Sequence, residues 1–393
     1  MAETTNSTGT LTPEQVERWL VDKMAYKLDV EPAKVDVDMY FDEFDLDSTE
    51  ALVLSGELEK WLGFELEATA LWYHPTISDL SRHIAQEYGG GNAGDEPLVR
   101  ELLAGSGPGR RVVLVHPGAL PLSCYRPLAA ELSGDTSLHV VDLEKVPEYF
   151  EAALTDHDTG LSLDGVAERV HRELAAHGLL GDDVVLGGWS FGGVVGYAVA
   201  ARSAPRKRPR RLLVADSIAP VAEFTTTTDD EIGPELLLPW FAMYLGAKRG
   251  VAIDLDAGDV RGMDVEAGLQ RALTAVLDAG ALPPDTSVAG LRSVYRAYSR
   301  GLLRNDRVAR DHAAKPVDVP ITLVRPRSGL LGGSRPLGWD QLAAAGLSTL
   351  DCPGDHYSML SDPDAVAVLA DAALERGGSR APAPSRTTGR QPS

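Results

Sequence analysis

Cysteine is almost missing: 393 residues hold only Cys124 and Cys352. Two thiols without zinc-like spacing build neither a disulfide framework nor a thiolate metal site. Long apolar runs are missing as well. None approaches the ~20 residues a membrane span needs, so no spanning helix is expected. Residues 1–11 are mostly polar and carry no Lys or Arg. That does not fit a signal peptide, and a cytoplasmic location is the expectation. Positive charge is scarce: 37 Lys and Arg face 58 Asp and Glu, a net charge of −21. A chain so acidic repels nucleic acid.

What is present is enough for two or three globular domains, with 44% hydrophobic residues. The negative charge is concentrated. Residues 1–90 hold 19 Asp and Glu against 6 Lys and Arg, a net of −13. A compact acidic module is therefore expected ahead of a more balanced remainder.

Residues 12–88 read as a small helical unit, after a disordered N-terminus over 1–11. Thr12-Pro13-Glu14-Gln15 is a helix start, with a capping Thr, Pro in the first turn and Gln at the third position. Val16, Trp19, Leu20, Met24 and Leu28 then recur at roughly helical spacing. A second helix fits Ser48 to about Trp61, and Thr76 caps a last one carrying Leu80 and Ile84. Residues 89–97, rich in Gly with Asn, Asp and Pro, read as a flexible linker.

Beyond the linker, short apolar strands alternate with helices. Strands are predicted at 112–115, 138–143, 184–186, 212–215 and 321–324, with a helix over 163–177. Such a series folds as a mainly parallel sheet covered on both faces. The interval 221–312 breaks the rhythm with a mostly helical insertion, placed as a lid would be. Its cluster of Leu236, Leu237, Leu238, Trp240, Phe241, Met243, Tyr244 and Leu245 suits either a bound apolar chain or the lid's own core. Residues 377–393 read as a disordered tail.

Gly188-Trp189-Ser190-Phe191-Gly192 sits between the strand at 184–186 and a helix beginning near Val194. Strand, sharp turn and helix are the context of a nucleophile elbow, with Ser190 at a helix N-terminus that favours developing negative charge. A serine hydroxyl needs a base and an orienting acid, in the chain order Ser, acid, His. Of nine histidines, only His312 and His356 lie at or beyond the end of the insertion. His356 follows the strand-like 347–350 and is preferred; His312 sits in a charged stretch and is expected to be solvated. The strand at 321–324 ends without a carboxylate, whereas the one at 212–215 ends in Asp216, which is therefore the expected acid. Asp355 adjoins His356, but adjacent residues rarely face each other correctly. The oxyanion donors are expected to be the backbone N–H groups of Phe191 and Ala119, with Gly118 as the alternative to Ala119. His116, which opens that loop, is expected to be structural.

Ser48 follows Asp42, Glu43, Asp45 and Asp47, so by itself it reads equally as a helix cap in an acidic loop. Its setting in an acidic helical unit, with Leu46-Asp47-Ser48-Thr49 and then His74-Pro75-Thr76 ahead of a last helix, resembles an acyl or peptidyl carrier protein. Thr49 stands where that family usually has a hydrophobic residue. The resemblance covers about 12–88. It implies a small all-α, four-helix carrier domain whose Ser48 receives 4′-phosphopantetheine from a phosphopantetheinyl transferase. Residues 98–376 resemble the type I thioesterase domains that end polyketide and nonribosomal peptide synthases. The motifs are His116-Pro117-Gly118-Ala119 with Tyr125-Arg126-Pro127-Leu128, the Ser190 elbow, Asp216-Ser217, and Gly354-Asp355-His356-Tyr357-Ser358-Met359-Leu360. This implies an α/β-hydrolase domain with a mostly parallel sheet and a helical lid.

Together the two resemblances imply a carrier–thioesterase didomain fed by an upstream polyketide or nonribosomal peptide synthase module. An acyl or peptidyl thioester on the Ser48 arm would pass to Ser190 and leave by hydrolysis or cyclisation. Two alternatives stand: an acyltransferase serving an amine or alcohol acceptor, and a carrier joined to a non-catalytic hydrolase scaffold. No partner among nucleic acids or membranes is expected. The basic run Arg206-Lys207-Arg208-Pro209-Arg210-Arg211 reads as a solvated loop, or as a contact for an acidic carrier face or the arm's phosphate.

Overall fold

The computed structural model describes residues 11–28, 30–39, 41–44, 54, 57–62, 66, 74, 76–88, 97–107, 109–132, 134–154, 160–225, 232–282, 286–310, 312–331 and 336–376. Ser48, Thr49, nearly all of the linker and the segment 377–393 lie outside the described residues.

The N-terminal unit is helical. Its first helix runs Pro13–Leu28. The Gln15 side chain accepts from the Thr12 N–H at 2.9 Å, one half of the reciprocal cap the sequence suggests. The last helix spans Ile77–Tyr88, and the Thr76 hydroxyl accepts from the Asp79 N–H. Residues 57–62 are helical between them. Val16, Leu20 and Met24 meet Leu58, Ile77, Leu80 and Ile84, all fully buried, in one core. The spacing three and four residues apart puts each helix's apolar side chains on the shared face.

The larger unit is a seven-stranded sheet in the order β1-β3-β2-β4-β5-β6-β7. The strands are β1 (Val99–Leu103), β2 (Arg111–His116), β3 (Ser137–Asp142), β4 (Val184–Trp189), β5 (Arg211–Ala215), β6 (Ile321–Ser328) and β7 (Leu347–Asp355). Only β1 is antiparallel to its neighbour. Alternation along β2 builds the two covered faces: Val112 and Leu114 point into one core, Val113 and Val115 into the other. β4 lies centrally and is buried at every residue. The helix that follows it, Phe191–Arg202, is buried from Phe191 to Ala200. It is apolar all round because protein surrounds it.

The sequence reading misses β1, whose Arg100 and Glu101 interrupt the apolar pattern of an edge strand. It also stops β6 at Val324; the strand continues through Arg325-Pro326-Arg327-Ser328 and pairs with an equally long β7. Between β5 and β6 the insertion forms helices over Ala222–Thr225, Pro234–Arg249, Val265–Asp278 and Val288–Arg310. Phe241, Leu269, Val276 and Leu291 of this lid are fully buried in the same core as Val112 and Val185 of the sheet.

Candidate functional site

The turn after β4 puts Ser190 in a strained backbone state, φ 56° and ψ −133°. It is held by the Ser190 N–H donating to Ala215 O at 2.9 Å. The turn needs glycine where the chains meet. A Cβ on Gly192 would lie 1.9 Å from Val115 O, and one on Gly188 2.4 Å from the Gly192 carbonyl carbon. Sharp reversal between strand and helix leaves Ser190 partly exposed at the C-terminal edge of the sheet, at the start of the Phe191–Arg202 helix.

Asp216 leaves β5 at the same edge. Its N–H donates to Val324 O, and its own φ is 40°. Its Oδ2 accepts from the Leu330 N–H at 3.1 Å and lies 2.7 Å from His356 Nδ1. Both side chains are only 2% exposed. A carboxylate at Nδ1 places the imidazole proton there and leaves Nε2 as the basic nitrogen. Trp189 fixes the other side of the histidine: its Nε1–H donates to His356 O at 2.7 Å, and the ring centroids are 4.7 Å apart. No hydrogen bond between Ser190 Oγ and His356 is among those formed by the described residues; such contacts often close only with substrate.

Asp355 is engaged elsewhere. Its Oδ1 accepts from the Tyr357 and Ser358 N–H groups and so caps the turn after β7. His312 departs from the expectation of a solvated ring. Its side chain is 9% exposed, edge-on to Tyr197 and 3.5 Å from Asp164, because the chain folds back against the elbow helix.

The loop after β2 carries Gly118 and Ala119, with φ of 90° and 72°. His116 closes it from beneath. Its Nε2 meets Leu120 O at 2.8 Å and its Nδ1 the Tyr125 hydroxyl at 3.2 Å. A carbonyl only accepts, so Nε2 carries the proton and Tyr125 donates to Nδ1. Burial holds this imidazole below its ordinary pKa. The Tyr149 hydroxyl lies 3.0 Å from Pro117 O and 2.7 Å from Asn305 Oδ1. Glu144 packs on the loop: a Cβ on Gly118 would meet its Oε1 at 2.4 Å. Glu144 keeps solvent exposure; partial loss of hydration, followed by the Asp142 charge, pushes its carboxyl upward against the pull of Arg304, Lys145 and Lys248. Lys248 is lowered to about 8 by the same loss of hydration. Trp189, Leu330, Tyr149 and Glu144 escape the sequence reading; only Trp189 lies inside a recognisable motif.

The basic run is placed at the other edge of the sheet. Arg211 begins β5 and Arg111 begins β2, while Ser190, Asp216 and His356 follow strand C-termini. Arg210 and Arg211, with Arg110, converge on Glu375, and Arg208 pairs with Asp318. Within the lid, Phe241 and Tyr244 are buried among Tyr295 and Tyr298. They form lid core; Trp240 is partly exposed. Burial raises the Cys352 thiol to about 12. Among the described residues no helix is long and apolar enough to cross a membrane, and no three His, Cys, Asp or Glu are grouped to hold a metal ion.

Residues 18–84 match the phosphopantetheine attachment site family, and residues 112–369 match the alpha/beta hydrolase family. The chain is 24% identical over 334 residues to chondramide synthase cmdD of Chondromyces crocatus, covering 80% of this chain and 8% of that one. It is 32% identical over 76 residues to acyl carrier protein TtuC of Teredinibacter turnerae, covering 19% of this chain and 87% of that one. Among solved structures it is similar to holo-AB3403, a four-domain nonribosomal peptide synthetase bound to AMP and glycine. The TM-score is 0.52 with 24% identity, over 96% of this chain and 27% of that one. The chain spans less than a tenth of the curated synthases it matches, 8% of cmdD and 4% of a phenolphthiocerol/phthiocerol polyketide synthase of Mycobacterium tuberculosis.

Proposed function

The chain belongs to the alpha/beta hydrolase family, with an N-terminal carrier of the acyl carrier protein kind, and on that footing we propose a carrier–thioesterase didomain. The carrier would be 12–88 and the hydrolase 98–376, joined by 89–97. The observation that carries the reading is the 2.7 Å contact of Asp216 with His356, at the sheet edge where the strained Ser190 stands, downstream of a phosphopantetheine attachment unit.

Ser48 is the hydroxyl proposed to hold the cofactor. The described residues on either side fit this use. Phe44 and Leu54 are buried in one core with Leu20 and Leu58. When bound, 4′-phosphopantetheine supplies a flexible thiol on which an acyl or peptidyl group is held as a thioester. A phosphopantetheinyl transferase would attach it, and an upstream polyketide or nonribosomal peptide synthase module would load it.

The hydrolase residues then act in sequence. His356 Nε2 takes the proton of Ser190 as its oxygen bonds to the thioester carbonyl carbon. The N–H groups of Phe191 and Ala119 hold the developing oxyanion. Asp216 keeps the imidazole proton on Nδ1 and stabilises the imidazolium. His356 returns its proton to the departing thiolate, the carbon–sulfur bond breaks, and the acyl group stays on Ser190 as an ester. The same histidine then takes a proton from water, or from a hydroxyl or amine of the acyl chain, whose oxygen or nitrogen bonds to the acyl carbon; the ester bond to Ser190 breaks and Ser190 Oγ takes the proton back from Nε2. Release is thus hydrolysis or cyclisation within secondary-metabolite assembly.

Intact mass spectrometry tests both halves. With coenzyme A and a transferase the mass should rise by one phosphopantetheinyl unit, and Ser48→Ala should abolish the gain. A gain that survives Ser48→Ala sinks the carrier assignment. A serine-directed fluorophosphonate should label the wild type but not Ser190→Ala.

A further inference from the structure

The lid reaches each loop of the site by a polar contact. Trp240, in the Pro234–Arg249 helix, donates from Nε1 to Leu330 O at 2.8 Å. The N–H of the same Leu330 donates to Asp216 Oδ2 at 3.1 Å. Tyr298, in the Val288–Arg310 helix, meets the Tyr357 hydroxyl at 2.9 Å in a buried position, one residue from His356. Arg304 and Asn305 of that helix seize Tyr149. The guanidinium lies 3.5 Å from the ring centroid and donates to Tyr149 O, while Asn305 Oδ1 shares the Tyr149 hydroxyl proton with Pro117 O. Pro117 precedes the oxyanion loop residues Gly118 and Ala119.

Three independent side chains of one insertion thus end on the acid, the base and the oxyanion loop, each through a single intermediary. Apolar packing continues the grip: Tyr244 stacks on Tyr298 at 5.0 Å and meets Tyr357 edge-on at 5.7 Å. A flap that merely covered substrate would need none of these bonds. Buried hydrogen bonds of this kind fix geometry, because breaking one orphans its partner away from water. Burial also holds the Tyr298 and Tyr357 hydroxyls far above their ordinary range, so both stay protonated.

We propose that the lid is a fixed part of the catalytic scaffold, and that Trp240, Tyr298 and the Asn305–Tyr149 pair are positioning residues. Through Leu330, Tyr357 and Pro117 they set the relative places of Asp216, His356 and the oxyanion donor. The inference rests on the reading of Ser190 as nucleophile given above. It implies that substrate enters past the lid without the Trp240 and Tyr298 ends letting go, since release there would disassemble the triad.

The test uses the holo form of the 393-residue chain and the rate at which a fluorophosphonate labels Ser190. Tyr298→Phe and Tyr149→Phe each delete one hydroxyl and keep the ring; Trp240→Phe deletes the indole N–H and leaves a smaller aromatic ring at a partly exposed position. Val276→Ala, in the lid helix that makes none of the three contacts, reports on simple loss of lid stability. The expected result is labelling about 10- to 100-fold slower in the three ring variants, as for sub-ångström misplacement of reacting groups. Probe saturation should be unchanged, and the pH midpoint of labelling should move in Tyr298→Phe. Val276→Ala should lower the thermal midpoint and label at the wild-type rate. Wild-type rates and pH midpoints in all three ring variants, or slowing that simply follows thermal midpoint across all four proteins, would overturn the proposal. Failure of the wild type itself to label refutes the nucleophile instead. A ring variant that does not fold is read through the other two, whose contacts are separate.

Discussion

Asp216 Oδ2 and His356 Nδ1 lie 2.7 Å apart across 140 residues of chain. The sheet order brings them together: β5 pairs with β6 and β6 with β7, so the loops after β5 and β7 sit two strands apart at one edge. Everything proposed about the chemistry passes through this contact, and its consequences are measurable.

Asp216→Asn should leave the fold intact and slow acyl release about 10,000-fold. The amide cannot hold the Nδ1 proton as a carboxylate does, and the tautomer with a basic Nε2 is lost. Single-turnover release from the loaded carrier measures the effect. A loss below tenfold removes Asp216 from the mechanism.

The strained Ser190 backbone predicts a conflict between stability and function. A non-glycine residue held at φ 56° and ψ −133° costs about 1–3 kcal/mol. Ser190→Gly should therefore abolish labelling yet raise the thermal midpoint by ~2 °C or more, even after the glycine's added unfolded-state freedom is counted. Ser190→Ala, which keeps the strain, should melt close to the wild type. Calorimetry of the three proteins decides it.

The far-edge placement of the basic run makes a negative prediction. Arg206 and Lys207 are exposed, on the side of the sheet away from Ser190. Arg206→Glu with Lys207→Glu should leave transfer from the carrier to Ser190 within twofold of wild type. A large fall would mean that the carrier reaches the hydrolase from that edge.

Local patterns make part of this site readable from the sequence. The elbow is a contiguous string whose glycines are demanded by chain contacts at Val115 and Gly192, and Asp216 stands out because β6 ends without a carboxylate. Chain order narrows the histidines to His312 and His356, and the loop after the strand-like 347–350 selects His356. The other parts depend on where distant loops land. Leu330 contributes a backbone N–H, which no side-chain motif encodes, and Tyr149 and Asn305 meet across 156 residues. His312 is misread because its neighbours in sequence are charged, while its neighbours in space are Tyr197 and Asp164. β1 goes unread because an edge strand carries polar residues on the face that the sheet core does not need. Ser48 remains readable only through the unit around it, since it lies outside the described residues.

The central claim is that an acyl group moves from the Ser48 arm to Ser190 and then leaves. The direct measurement is intact and peptide mass spectrometry of the holo chain after loading with an acyl-pantetheinyl group. The wild type should lose the acyl mass with time and show transient acylation of the Ser190 peptide. Ser190→Ala should keep the acyl group on Ser48 throughout. Release by Ser190→Ala at the wild-type rate would contradict the account.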